Sequence, residues 1–93
     1  MADQELGRYT GEYREGSHPV RIAVQDGMLT MRPGLRHQRE SRLRTGVGHL
    51  FLDTADPATE IHFQIRGDQP HGYGRYHNGW FVGLGCALRE TAE

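Results

Sequence analysis

The chain has 93 residues, a formal net charge of −1, 35% hydrophobic residues and 13 glycines. That length makes one domain with a thin core and many turns, and near-neutrality argues against a nucleic-acid partner. All 11 basic residues are arginine, so a Schiff-base lysine, a phosphate-loop lysine and a Ser-x-x-Lys nucleophile are excluded.

Cys86 is the only cysteine, so no disulfide can form within the chain. No apolar run approaches the ~18 residues of a membrane-spanning helix, and the opening MADQELGRY carries no apolar signal core. The expectation is a cytoplasmic protein with no membrane partner.

Met1 to Glu5 reads as a polar lead-in. Leu6 to Arg14 alternates as a first strand, with Tyr9, Gly11 and Tyr13 on one face, and Glu15 to Pro19 forms a turn. Val20 to Gln25 places Val20, Ile22 and Val24 inward. Asp26-Gly27 is a two-residue hairpin signal that sets Val24 against Leu29 and Ile22 against Met31. It also sets Arg21 against Arg32, a like-charge pair suited only to a wet face.

From Arg32 to Thr45, five arginines (Arg32, Arg36, Arg39, Arg42 and Arg44) stand beside one Glu40. The expectation is a solvated edge strand over His37 to Arg44, whose charges block pairing with other chains; an anion-binding strip is the alternative. His49 to Asp53 and Glu60 to Arg66 read as strands, the second with Ile61, Phe63 and Ile65 inward.

His71 to Leu88 carries the strongest signal, two strands around Asn78-Gly79. Unbroken register pairs His77 with Trp80, Tyr76 with Phe81, Arg75 with Val82 and Tyr73 with Leu84. One face then holds Tyr73, Arg75, His77, Trp80, Val82 and Leu84, while the other carries Tyr76, Phe81 and glycine pairs, the mark of a sharply bent sheet. A polar tail, residues 89–93, follows. About eight short strands with evenly spaced turns predict an all-β domain over residues 6–88, a small antiparallel up-and-down barrel or half-barrel.

The chemistry available is sparse. Six histidines (His18, His37, His49, His62, His71, His77) show no His-x-His or His-x-x-x-His spacing, so no metal site is expected, and no cofactor fingerprint is present. Ser17 and Ser41 lie in no nucleophile elbow, and Cys86 reads as a small apolar filler, so no catalytic residue is assigned. The candidate ligand-binding set is Tyr73, Arg75, His77 and Trp80, joined by Tyr9 and Tyr13. Arginine's fork of donors among aromatic walls suits a small amphipathic ligand bearing an anionic group or a carbonyl, with Trp80 as an optical reporter. Ile22, Leu29, Phe63 and their neighbours would floor that cavity. The alternative leaves Arg75 and His77 at a solvated mouth.

Leu6-x-x-Tyr9-x-Gly11-x-Tyr13, then Val20-x-Ile22-x-Val24-x-Asp26-Gly27-x-Leu29, resembles the lipocalin-like carboxyl-terminal β domain of β-lactamase-related serine hydrolases and peptidases. Leu43, Gly46, Gly48, Phe51 and Ile61-x-Phe63-x-Ile65 continue the likeness. It implies an eight-stranded barrel without catalytic residues, serving a hydrolase domain by assembly or by shaping access. This sequence departs from the pattern after Ile65, where an aromatic, glycine-rich hairpin replaces a simple turn and strand. The expected function is a non-catalytic module binding a small ligand or a protein partner. The alternatives are a biosynthetic barrel enzyme acting by substrate confinement, and an assembly domain that dimerises through an exposed strand edge.

Overall fold

The computed structural model describes residues 3–34, 40–67 and 69–88. A helical turn, α1 (Asp3–Leu6), runs into a 3-10 turn, Gly7–Tyr9, and eight strands follow: β1 (Gly11–Glu15), β2 (His18–Gln25), β3 (Met28–Pro33), β4 (Ser41–Thr45), β5 (Leu50–Asp53), β6 (Thr59–Arg66), β7 (Gln69–His77) and β8 (Trp80–Ala87). Each strand pairs antiparallel with the next and β8 returns to β1, so the fold is a closed up-and-down barrel. Among the described residues no helix is long and apolar enough to cross a membrane.

The two dipeptide turns adopt the geometry their residues favour. Asp26 and Gly27 have φ of 55° and 77°, and Asn78 and Gly79 have 52° and 84°, positive at both central positions of each turn. In the β2–β3 hairpin the register follows from the turn without interruption: Val24 faces Leu29, Ile22 faces Met31 and Arg21 faces Arg32. The two arginines diverge to separate carboxylates, Arg21 to Glu12 at 3.6 Å and Arg32 to Glu40 at 3.2 Å.

The β7–β8 hairpin departs from expectation. His77 faces Trp80 and Tyr76 faces Phe81, but Arg75 then faces Gly83 and Tyr73 faces Gly85. Val82 is an extra residue, a β-bulge, and every pair below it is displaced by one. The slip turns Leu84 outward and Gly83 and Gly85 inward, the reverse of the faces expected from unbroken alternation.

Interior volume explains why the bulge is favoured. A Cβ on Gly85 would stand 2.2 Å from the Tyr73 ring, and one on Gly83 would stand 2.8 Å from the Glu15 carboxylate. Without the bulge, Leu84 would compete with Tyr73 for the same space. Cys86, expected as an apolar filler, consequently lies exposed on the outer surface.

The first strand is also shorter than alternation suggested. It begins at Gly11, and the chain before it coils so that Leu6 and Tyr9, three residues apart, turn the same way and close one end of the barrel. Both are 1% exposed. Tyr9 packs on Phe51 and Phe63 at ring separations of 4.9 and 4.8 Å, and Tyr13 continues the stack to Tyr73 at 5.5 Å. These rings fill the barrel with a solid aromatic column.

The arginine-rich segment is no edge. Its described strand, β4, is paired on both sides, with β3 and with β5. Arg42 meets Asp26 at 3.2 Å, while Arg36, His37 and Arg39 lie outside the described residues.

Candidate functional site

The ends of the barrel differ because the lead-in residues plug only one. At the plugged end the Tyr9 hydroxyl and His49 Nδ1 share a 2.8 Å hydrogen bond, and the Tyr13 hydroxyl donates to the Tyr9 carbonyl at 2.8 Å. Among the described residues, the opposite end carries the β1–β2, β5–β6 and β7–β8 turns and opens into a cleft of about 320 Å³. Glu15, His18, Val20, Met31, Pro33, Ser41 and Arg75 line it.

At its base stands a polar cluster. The Arg75 Nε donates to Glu15 Oε2 at 3.1 Å and its Nη2 donates to Oε1 at 3.0 Å, a two-pronged grip on one carboxylate. The Tyr73 hydroxyl donates to the same Oε1 at 2.7 Å, and Arg75 Nη2 also reaches Met31 Sδ at 3.3 Å. Side-chain exposure is 26% for Arg75 and 24% for Glu15, so the pair is largely withdrawn from water. An unpaired guanidinium at that depth would be costly; the carboxylate makes it tolerable.

Among the described residues no acceptor is bonded to Arg75 Nη1. Its two N–H groups are the donors left for a guest in the cleft.

The cluster sets its own protonation. Burial pushes the Glu15 carboxyl up, but hydrogen bonds from Arg75 and Tyr73 and the charge of Arg75 outweigh burial and hold it below its ordinary value. Tyr73 is raised, by burial first and then by the adjacent Glu15 carboxylate. Desolvation pulls Arg75 down, yet Glu15 more than offsets it and leaves the guanidinium firmly charged. At neutral pH the three groups are an anion, a cation and a neutral phenol.

Of the six residues singled out in the sequence, the structure brings Arg75 alone into the lining of this cleft, while Tyr73, wholly buried, backs it through its hydrogen bond to Glu15. Tyr9 and Tyr13 are wholly buried in the aromatic column and present no surface to a guest. His77 is drawn to the β5–β6 corner, where its Nδ1 stands 3.1 Å from Thr59 Oγ1 and 3.5 Å from Asp56 Oδ2. Trp80 projects past the rim, 77% exposed, and does not line the cleft. Of the expected cavity floor, Val20 and Met31 line the cleft, whereas Ile22, Leu29 and Ile61 are packed core, at most 1% exposed.

Sequence reasoning missed Glu15. The signal was present, because the phase that turns Tyr13 inward also turns Glu15 inward two residues later. His18, Pro33 and Ser41 carry no local signal, whereas Met31 was turned inward by the Asp26-Gly27 register; three strand ends that are remote in sequence bring them to one mouth. Among the described residues no cluster of three or more His, Cys, Asp or Glu side chains could hold a metal ion. No known protein-family model matches the chain, and no curated protein or solved structure proved similar to it.

Proposed function

We propose that the protein is a binding module whose open barrel mouth takes a small amphipathic ligand carrying a carbonyl group. The observation that carries this reading is the Arg75 guanidinium, anchored by Glu15 with Nη1 unbonded among the described residues, beside Val20, Met31 and Pro33. A cleft of about 320 Å³ lies at the small end of the range for ligand sites. A short apolar body with one acceptor suits both its volume and its lining.

The charge balance narrows the ligand class. Glu15 already neutralises Arg75, and its carboxylate also faces the cleft, so a second carboxylate gains little there. A neutral acceptor such as an amide, ester or ketone takes the Nη1 donors without that repulsion. The same balance disfavours acid–base catalysis by this cluster, because a depressed Glu15 is a weak base and a raised Tyr73 a weak acid at neutral pH. The resemblance to lipocalin-like accessory domains, which implies a barrel without catalytic residues, is consistent with that.

Two probes of equal length test the reading, octanamide and octanoate, titrated while the methyl resonances of Val20 and Met31 are followed by NMR. The expected result is saturable shifts at both residues, stronger binding of the amide, and roughly tenfold weaker binding in Arg75→Lys from the loss of one guided hydrogen bond. Methyl resonances unmoved by either probe would overturn the proposal.

A further inference from the structure

β1 meets β8 only at Gly85–Ala87. Above that contact, Trp80–Leu84 pairs with β7 on one side, and no described strand pairs with it on the other. The barrel is closed below, yet among the described residues the hairpin tip leaves a short free edge. Its side chains are the exposed apolar ones of the strand: Trp80 77%, Phe81 57%, Val82 56% and Leu84 49%. Free edges are ordinarily protected by lysine, proline or inward-pointing charge. From Asn78 to Leu88 the chain has no charged residue and no proline. The Val82 bulge is the one protective device present, and it limits any added ladder to a few residues.

We infer that this edge is a self-association surface, pairing antiparallel with Trp80–Leu84 of a second copy about a two-fold axis. Centring the axis on Val82 sets Val82 against its own copy, Phe81 against Gly83 and Trp80 against Leu84. That register places an aromatic ring beside each glycine and each indole against a leucine, pairings that stabilise antiparallel ladders. No like charges meet, because the segment has none. A charged peptide would find nothing complementary here, whereas the segment complements itself.

The area is adequate. The four side chains expose on the order of 500 Å² of apolar surface, near the upper limit of ~300–600 Å² for the largest patch on a monomer. A patch of that size, below the ~800 Å² per partner of a stable interface, suits a concentration-dependent dimer.

Sedimentation equilibrium from low micromolar to submillimolar concentration tests the inference, together with hydrogen exchange of the Trp80–Leu84 amides. The expected mass is twice the 10.5 kDa of the chain. Edge amides should gain protection as concentration rises, a change that packing of outer faces alone would not produce. Val82→Lys and Trp80→Ala, both at exposed positions, should each weaken association at least tenfold while circular dichroism stays unchanged. A monomeric mass throughout, a dimer undisturbed by either folded variant, or edge amides whose protection ignores concentration would overturn it. So would a monomer whose Trp80 emission shifts to the blue only on zwitterionic phospholipid vesicles, which would assign the edge to a lipid surface.

Discussion

The two hairpins that turn at Asp26-Gly27 and Asn78-Gly79 use the same turn chemistry and fill the barrel in opposite ways. In β2–β3 both strands send large side chains inward: Val20 and Ile22 from one, Leu29 and Met31 from the other. In β7–β8 the inward volume belongs to one strand alone. Tyr73 and Arg75 project from β7, while β8 answers with Gly83 and Gly85. A two-residue turn sets register at the tip, but the space available further down decides whether that register survives. Where opposing side chains share the interior, it does; where one needs the whole width, a bulge intervenes.

The most severe way to break this contrast is Gly85→Val. Its Cβ would lie against the Tyr73 ring, which is wedged between Tyr13 and Phe63 and has no room to move. The expected cost is about 3 kcal/mol or more, enough to threaten folding of a domain this small. Thermal melts check it, and a Tyr73→Leu, Gly85→Val double variant should recover part of the loss if the two positions share one volume.

Removing the polar partner comes next. Glu15→Ala leaves Arg75 half buried without its carboxylate and the Tyr73 hydroxyl without its acceptor, with an expected loss of about 2 kcal/mol. Urea denaturation measures this. Arg75→Met with Glu15→Met should cost less than either single removal, since both charges then leave together.

Gly27→Val and Gly79→Val sharpen the comparison at the turns themselves. Both glycines stand at positive φ with open space around them, so strain is purely conformational and about 1–2 kcal/mol in each hairpin. Equal losses would show that the hairpins differ in their interiors and not in their turns. A much larger loss at Gly27 would place the difference in the turns.

The gentlest probe is pH. Glu15 titrates lower in the folded state, so its contribution is complete above the ordinary carboxylate value near 4.5 and is lost as pH falls through the lower folded value. Tyr13 and Tyr73 are raised, so their contribution is complete below about pH 10 and is lost as pH rises through the higher folded values. Melting temperature should be level from roughly pH 5 to 9 and fall on both sides. Glu15→Gln should flatten the acid limb; an unchanged acid limb would remove Glu15 from the account.

What the amino-acid sequence by itself determined is local and periodic. Alternation over Val20–Val24 and Ile61–Ile65 and the positive-φ dipeptides at both turns specify strands, hairpin tips and an all-β barrel, because each depends on residues within a few positions of one another. The polar pair at the mouth was half legible: Arg75 stood out among aromatic residues, while Glu15, in phase with Tyr13, was hidden by its nearness to a turn. Only the tertiary structure decided where the first strand begins, which side of β8 faces inward and which end of the barrel the lead-in residues seal. Those outcomes follow from competition for one small interior: Leu6 and Tyr9 coil to seal one end, Tyr73 claims the width opposite Gly85, and Val82 is displaced into the bulge. No segment reveals how much room its distant neighbours will leave.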